Sequence, residues 1–313
     1  MHSSHHSTTR IALVNRIIQF AFLVPLILFV LGALSANAAP AELDRLNPPA
    51  KEQIPVAFLI SEGAVVIDFT GPWEVFQDVT IPSRQDMPFR LYTVAETTKP
   101  IRTSGGMQIV PDYTIANAPA PKVIVIPAQS EPSEAVLDWI RKSSKTTDVT
   151  MSVCNGAFVL AKTGLLDGKS ATTYHGAFGS FATKFPDIQL KRGARFVENG
   201  NLATAGGLSS GIDLALRVVE RYYGREVAQK TAYNMEYQGE GWMNPNSNEL
   251  YAKPLVSTAE HPVCPICGMD VDPKIAPTSP FKDTTYFFCS DEHKKTFDAA
   301  PDKFVTTPSG SAN

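Results

Sequence analysis

Cysteine and histidine are both scarce in this sequence, and neither sign of charge is in marked excess. Four cysteines in 313 residues exclude a scaffold built on disulfide bonds. Lysine and arginine together number 28 against 31 acidic residues, so no basic surplus favours nucleic-acid binding. Charged residues make up 19% and hydrophobic residues 43% of the chain, which excludes a disordered polymer and allows a full hydrophobic core.

The small number of histidines limits the candidates for catalytic and metal-binding residues. Three of the six lie within the first six residues, which leaves His175, His261 and His293 for the rest of the chain. The chain is longer than one ordinary domain requires, so two folded units with tails are expected.

The N-terminus has the pattern of an export signal. Arg10 and Arg16 precede an apolar run over residues 17–34, and an Ala-x-Ala step over residues 36–38 follows it. We therefore expect residues 1–38 to be a cleaved signal peptide and the mature protein to be periplasmic or secreted, without stable membrane insertion. The alternative is an uncleaved membrane anchor, because an apolar run of this length is just enough to cross a bilayer.

Strand and helix patterns alternate from residue 54 onward. The predicted strands cover residues 55–60, 89–95, 123–127 and 149–153, and the predicted helices cover residues 68–77, 132–143, 155–163 and 210–223. Asn199-Gly200 between two short apolar runs predicts a tight hairpin. Apolar strands separated by helices predict an α/β fold with a mostly parallel sheet covered on both faces. In such a sheet, functional residues collect where strands end and helices begin.

Cys154 directly follows one of these predicted strands. The residues two before and two after it, Ser152 and Gly156, are small, and small-x-Cys-x-Gly at a strand-to-helix turn is the cysteine form of a nucleophile elbow. Backbone amides at the start of the next helix favour a thiolate, so we expect a lowered pKa for Cys154. The amide of Asn155 is then a candidate oxyanion donor. The alternative is a buried structural cysteine.

Further motifs occur in order along residues 54–242. They are Val56-Ala-Phe-Leu-Ile60, Gly63, Asp68-Phe-Thr-Gly-Pro72, Glu74-Val-Phe76, Ser152-Val-Cys-Asn-Gly156, Ala171-Thr-Thr173 and Thr204-Ala-Gly-Gly207. Together they resemble the ThiJ/PfpI superfamily of class I glutamine amidotransferase-like proteins, in its isonitrile-hydratase-like and AraC-regulator-type branch. The resemblance implies a flavodoxin-like three-layer sandwich, often dimeric, with a reactive cysteine at the elbow. It also implies an acid from the first strand-to-helix loop facing that cysteine, a position held by Asp68.

Three residues are therefore candidates beside the cysteine. Asp68 is a candidate proton acceptor or donor, and the alternative is that it merely caps the helix that begins near Phe69. His175 follows a predicted strand where relatives often place a histidine that acts on the cysteine, but it is displaced by one position here, and the alternative is that it caps the next helix or faces solvent. Ala128 lies in a loop where many relatives have a glycine pair, and its backbone amide is a second candidate oxyanion donor.

The C-terminal region carries a separate pattern of metal ligands. Cys264-x2-Cys267 is followed after 21 residues by Cys289-x3-His293. Paired ligands at these separations suit tetrahedral Cys3His coordination. The second pair lies between a predicted strand and a predicted helix with Ser290 as its N-cap, which brings the two ligands together.

Residues 262–305 resemble a YHS domain, a module of metal-handling proteins, with His293 where many relatives have cysteine. So small a unit rarely folds unaided, and metal binding supplies the missing stability. We expect one metal ion, zinc from the ligand set, with copper as the alternative because thiolates and Met269 are soft ligands. A Cys264–Cys267 disulfide without metal is the competing interpretation. No cofactor is expected in the α/β domain.

These features predict six segments. They are a signal peptide (1–38), a linker (39–53), the α/β domain (54–245), a second linker (246–261), a small α+β metal-binding domain (262–305) and a disordered tail (306–313). The predicted function is an exported cysteine-dependent hydrolase or hydro-lyase acting on a small molecule, with isonitrile hydration or glyoxalase or deglycase chemistry as named activities. The alternative is a non-catalytic ligand-binding, stress-response or metal-handling protein. Binding to DNA is not expected.

Overall fold

The computed structural model describes residues 44–253 and 256–305. The predicted signal peptide and the predicted C-terminal tail lie outside these described residues, so both stay predictions. Within the described ranges, no helix has the length and apolar character that a membrane crossing requires.

The larger domain is built around one central sheet. The strands of this domain are β1 (Ile54–Leu59), β2 (Phe89–Ala95), β3 (Ile101–Arg102), β4 (Gln108–Ile109), β5 (Tyr113–Thr114), β6 (Val123–Ile126), β7 (Val149–Ser152), β8 (Ser170–Ala171), β9 (Gln189–Leu190), β10 (Phe196–Asn199) and β11 (Leu202–Ala205). Seven of them form the central sheet in the order β10-β11-β7-β6-β1-β2-β5. Only the β10–β11 pair is antiparallel, and the other neighbours are parallel. The mostly parallel sheet predicted from the sequence is confirmed.

Helices cover both faces of this sheet. They are α1 (Val66–Gln77), α2 (Glu134–Ser143), α3 (Gly156–Lys162), α4 (Phe178–Lys184), α5 (Ser210–Tyr223) and α6 (Arg225–Asn234), with short 3-10 turns that include His175–Ala177. Two apolar cores result. One packs α1 and α5 against one face of the sheet, and the other packs α2, α3 and α4 against the opposite face. Residues of the inner strands β1, β6 and β7 are buried on both faces, as a sheet between two helical layers requires.

The C-terminal residues form a small α+β unit. A hairpin of β12 (Thr278–Phe281) and β13 (Thr284–Phe287) packs against α7 (Asp291–Ala299). Phe288 and Phe297 form its centre together with two buried cysteines. Ser290 caps α7 as predicted, since its side chain accepts a hydrogen bond from the backbone N–H of His293.

Some predicted element boundaries were wrong, for local reasons. Helix α1 begins at Val66 with Val65 as its N-cap and no side-chain cap, so Asp68 lies inside the first turn and does not cap it. Helix α2 begins after Pro132, because Ser133 is the N-cap residue and its side chain accepts from a backbone amide. Helix α4 was given no bounds, because it has only seven residues. Helix α6 was missed, because its buried residues are small or polar, namely Ala228, Thr231 and Ala232.

Gly156 sets how closely the elbow approaches the neighbouring strand. A Cβ atom at this position would lie 2.1 Å from the carbonyl oxygen of Ile126 and 2.8 Å from that of Pro127. Both oxygens are backbone atoms at the end of the central strand β6, so moving them would disturb the sheet. Only glycine fits, and the turn that follows Cys154 depends on it.

We expect Gly156→Ala to destabilise the fold by about 2 kcal/mol or more, measured as the free energy of unfolding in denaturant. Alanine ordinarily stabilises a helix relative to glycine by up to about 1 kcal/mol, so the clash reverses the usual sign. Gly179→Ala in α4 is the matched control, because its Cβ would meet only ordinary contacts at 3.5 Å and beyond. Equal effects of the two substitutions would contradict this account of the elbow.

Candidate active site and metal centre

Cys154 adopts the backbone conformation of a nucleophile elbow. Its φ is 57°, a left-handed value that is uncommon outside glycine. Hydrogen bonds hold this conformation from both sides: the Cys154 amide donates to the carbonyl of Gly206 at 2.8 Å, and the Thr173 hydroxyl donates to the Cys154 carbonyl at 2.9 Å. The side chain therefore stands at the end of β7, at the turn into α3, as the sequence predicted.

Asp68 lies beside this cysteine and is fully buried. The backbone amide of Ala128 donates to its Oδ2 atom at 3.0 Å, while Oδ1 has no hydrogen-bond partner. Burial raises the pKa of Asp68 to about 6, although the Ala128 amide and the Cys154 thiol both lower it. The structure thus brings together the predicted cysteine and acid.

The thiol of Cys154 is less acidic than expected. Burial, followed by the negative charge of Asp68, raises its pKa to about 12. The backbone amides of Leu208 and Asn155 favour the thiolate, as an elbow should, but they offset only part of this increase. The lowered pKa predicted from the helix N-terminus is therefore wrong, because burial of the thiol and then the charge of Asp68 outweigh the effect of the backbone amides.

The amides around the sulfur differ partly from those predicted. The Asn155 amide faces Cys154 as expected. The Ala128 amide is occupied by Asp68, so the oxyanion donor predicted there serves the carboxylate instead. Leu208 supplies the second amide facing the sulfur, from a backbone with a φ of 43°. Thr204-Ala-Gly-Gly207, just before Leu208, was the sequence signal for this turn.

Tyr174, and not His175 as predicted, lies near the Cys154 sulfur. His175 stacks on Tyr251 with ring centroids 4.9 Å apart, and among the described residues no hydrogen bond joins it to Cys154. Burial lowers the pKa of His175. Burial raises the pKa of the Tyr174 hydroxyl, and a negative charge on Cys154 raises it further. The Tyr174 ring lies over Gly207, where a Cβ would come within 2.7 Å of it.

The four predicted metal ligands converge in the C-terminal unit. The ligand atoms of Cys264, Cys267, Cys289 and His293 all lie within 4.8 Å of one another. The sulfurs of Cys267 and Cys289 are 3.6 Å apart, and the Cys264 sulfur is 3.7 Å from Nδ1 of His293. Tetrahedral zinc with bonds of about 2.3 Å to sulfur requires ligand separations of about 3.8 Å. The donor set and its spacing fit a tetrahedral ion.

Backbone hydrogen bonds close the loop that carries Cys264 and Cys267. The Gly268 amide donates to the Cys264 carbonyl at 2.8 Å, and Gly268 has a φ of 77°. The Cys264 amide in turn donates to the Met269 carbonyl at 2.8 Å. This closed loop places the two thiols on the same side, toward α7.

Residues 55–221 match the sequence profile of the DJ-1/PfpI family, which is more than half of the chain. The chain therefore belongs to the DJ-1/PfpI family. It is 33% identical over 187 residues to an isonitrile hydratase from Pseudomonas putida, a match that covers 58% of this chain and 78% of that enzyme.

The relatives also include transcriptional regulators. The HTH-type transcriptional regulator CdhR from Pseudomonas aeruginosa is 26% identical over 175 residues, which cover 55% of this chain and 51% of the regulator. The chain thus spans about half the length of that protein. Among solved structures, a ThiJ/PfpI family protein from Pseudomonas syringae has a TM-score of 0.54 at 23% identity and covers 70% of this chain and 99% of its own. This likeness confirms the flavodoxin-like fold predicted for the larger domain.

The buried carboxylate predicts a specific pH dependence of stability. Because burial raises the pKa of Asp68 from 3.8 to about 6, the folded protein binds the proton more tightly than the unfolded chain does. The wild type should therefore lose about 2 kcal/mol of unfolding free energy relative to Asp68→Asn as the pH rises from about 4 to about 6. Denaturant unfolding across this pH range measures the difference.

Asp86→Asn is the control for this measurement. Asp86 is exposed and pairs with Arg84, which lowers its pKa, so its removal should not reproduce the effect between pH 4 and 6. Parallel stability curves for the wild type and Asp68→Asn would show that the carboxylate is not buried as described.

Proposed function

We propose that this protein is a cysteine-dependent hydro-lyase of the isonitrile-hydratase kind, exported by its predicted leader, with an appended metal-binding module. The observation that carries the proposal is the pairing at the elbow: Cys154, held at a φ of 57°, lies beside the buried carboxylate of Asp68. Similarity to an isonitrile hydratase over most of that enzyme's length supports the choice of reaction.

The pKa values assign the roles of the two groups. At neutral pH Asp68 is mostly ionised and Cys154 is a thiol, because their pKa values are about 6 and about 12. The sulfur is activated only when a substrate is present and the carboxylate takes its proton. Oδ1 of Asp68, which has no other hydrogen-bond partner, is free to accept that proton.

The reaction balances with water as the only co-reactant. The Cys154 sulfur attacks the terminal carbon of R–N≡C, and the thiol proton passes through Asp68 to that same carbon, which gives the thioimidate R–N=CH–S–Cys. Water then adds to the carbon, the nitrogen gains a proton, and the carbon–sulfur bond breaks. The products are an N-substituted formamide and the regenerated thiol. The amides of Asn155 and Leu208 stabilise the sulfur as it acquires negative charge.

A non-catalytic role as a ligand-binding protein is the second candidate. The observation that favours it is the burial of Cys154, which is 6% exposed. The presence of transcriptional regulators among the relatives agrees with it. In this case a small molecule would occupy the domain without bond formation to the sulfur.

Turnover of a simple alkyl isonitrile, followed as formation of the N-formamide, distinguishes the two candidates. We expect the full chain to be active, Cys154→Ser to be inactive and Asp68→Asn to lose at least about 100-fold in kcat, as the loss of a general base predicts. His175→Gln is the matched control and should change kcat by less than about tenfold, since His175 stacks on Tyr251 away from the sulfur.

Full activity of Cys154→Ser would refute the nucleophile. Binding of an isonitrile by the wild type without formation of the formamide would favour the ligand-binding alternative.

We further propose that the C-terminal unit binds one zinc ion through Cys264, Cys267, Cys289 and His293. The spacing of the four ligand atoms supports this, and so does the small size of the unit, whose buried core contains few large side chains. A bound ion would supply stability that this core lacks. Copper is the alternative occupant, because three of the four ligands are thiolates.

Elemental analysis of the full chain purified without chelator should give about one metal ion per molecule. Cys289→Ser should lose the metal and make residues 262–305 sensitive to protease, because the metal would link the end of β13 and the start of α7 to the loop that carries Cys264 and Cys267. Cys154→Ser, which leaves all four ligands in place, should retain the metal and the resistance. A metal-free wild type whose C-terminal unit resists protease would refute the site.

A further inference from the structure

The second backbone amide that faces the Cys154 sulfur belongs to a residue in a strained conformation. Leu208 has a left-handed φ of 43°, which costs free energy for a leucine. The Leu208 side chain is 44% exposed, so its own packing contributes little to holding that conformation. Contacts made by neighbouring residues therefore have to fix residues 206–209, which we call the amide loop.

Arg195 reaches the amide loop with both its backbone and its side chain. Its carbonyl accepts a hydrogen bond from the Gly206 amide at 2.9 Å, and its Nη2 atom donates to Oγ of Ser209 at 3.1 Å. These two bonds lie on either side of Leu208. The Gly206 carbonyl in turn accepts from the Cys154 amide at 2.8 Å. One arginine is thus linked to the backbone of the cysteine and to both sides of the residue whose amide faces the sulfur.

Asp213 holds the guanidinium of Arg195 in place. This carboxylate is fully buried on α5, and its Oδ2 atom accepts from Nε of Arg195 at 2.6 Å. Nη2 of the same guanidinium also pairs with Asp213, and Nη1 donates to Oδ1 of Asn248 at 3.3 Å. Because the guanidinium is planar and its donors are fixed relative to one another, these bonds also fix its direction toward Ser209.

Two other roles for the ion pair fit the contacts less well. Asp213 compensates the charge of Arg195, so the arginine does not offer a free positive charge to an anionic substrate. Asp213 also accepts from the Tyr237 hydroxyl at 3.0 Å and from the Trp242 amide at 2.9 Å, which ties residues 237–242 to α5. That structural role does not require the bond from Arg195 to Ser209, which leads to the amide loop instead.

We propose that Arg195 is a positioning residue for the reaction at Cys154, and that it holds the amide loop so that the Leu208 amide points at the sulfur. As the sulfur acquires negative charge, this amide stabilises it. The role in turnover rests on the proposed function, whereas the effect on the thiol itself is independent of which reaction the cysteine performs.

Two substitutions release the amide loop to different degrees. Ser209→Ala removes the acceptor of the Arg195 bond and leaves the Arg195–Asp213 pair intact, so it decides the outcome even if the second variant fails to fold. Arg195→Lys keeps a positive charge beside Asp213, but one ammonium group does not reproduce the planar set of bonds to Asp213, Ser209 and Asn248. Ser133→Ala is the matched control, because it also deletes one serine hydrogen bond, at the N-cap of α2, and costs stability there.

Thiolate titration of the full chain tests the position of the Leu208 amide without any substrate. Each protein carries Asp68→Asn, which lowers the pKa of Cys154 by removing a negative charge, and the absorbance of the matching Cys154→Ser protein is subtracted. Because loss of the amide disfavours the thiolate, adding Ser209→Ala should reduce the thiolate fraction at a fixed pH by about threefold or more. Adding Ser133→Ala should leave this fraction unchanged.

The sign of the change separates positioning from a general loosening of the structure. Burial is the largest cause of the raised pKa of Cys154, so loosening would expose the thiol and increase the thiolate fraction. An unchanged or increased thiolate fraction after Ser209→Ala would refute the positioning role, whatever the activity.

Turnover of an alkyl isonitrile tests the consequence for catalysis. In the presence of Asp68, Ser209→Ala and Arg195→Lys should each lower kcat about tenfold with little change in KM, because the amide acts on charge that forms only after the substrate has bound. Ser133→Ala should keep the wild-type kcat. A wild type without turnover, whose titration nevertheless responds to Ser209→Ala as expected, would overturn the proposed reaction and not the link between Arg195 and the thiol.

Discussion

The chemistry at the elbow depends on one electrostatic relation, between a buried carboxylate and a buried thiol that cannot both be ionised at low cost. The structure places Asp68 and Cys154 in one enclosed space, and the two side chains change each other's pKa. As a result the proton stays on the sulfur and the charge stays on the carboxylate. In the proposed reaction this cysteine would become a nucleophile only when a substrate is positioned to react and the carboxylate takes its proton.

Backbone geometry keeps this pair together. Gly156 permits the close approach of the elbow to β6, and the strained φ of Cys154 is held by bonds to Gly206 and Thr173. The Ala128 amide fixes the carboxylate from the neighbouring strand end. Parallel strands end at the same edge of the sheet, so residues distant in sequence meet there. The C-terminal unit adjoins the same region, because the Met269 side chain lies beside Gly176 in the turn that follows Tyr174.

Much of this organisation follows from sequence patterns that report local constraints. Short runs without charged residues identified the inner strands, because a strand buried on both faces has no solvent-exposed position for a charge. The spacing of the four candidate metal ligands predicted that they converge, since only a few residues separate the two members of each pair. Long-range electrostatics and side-chain direction were not accessible in this way. The pKa of Cys154 depends on a residue 86 positions earlier in the chain, and the place of His175 depends on stacking with Tyr251. The amide of Leu208 was missed because any residue type supplies one.

Titration of the Cys154 thiol tests the central relation most directly. The thiolate absorbance of the wild type minus that of Cys154→Ser isolates this sulfur from the three cysteines of the C-terminal unit. We predict no thiolate from Cys154 at neutral pH, a pKa well above the ordinary value of about 8.5, and a lower pKa in Asp68→Asn because a neighbouring negative charge is removed. A thiolate already formed at neutral pH, with the same pKa in Asp68→Asn, would contradict the account.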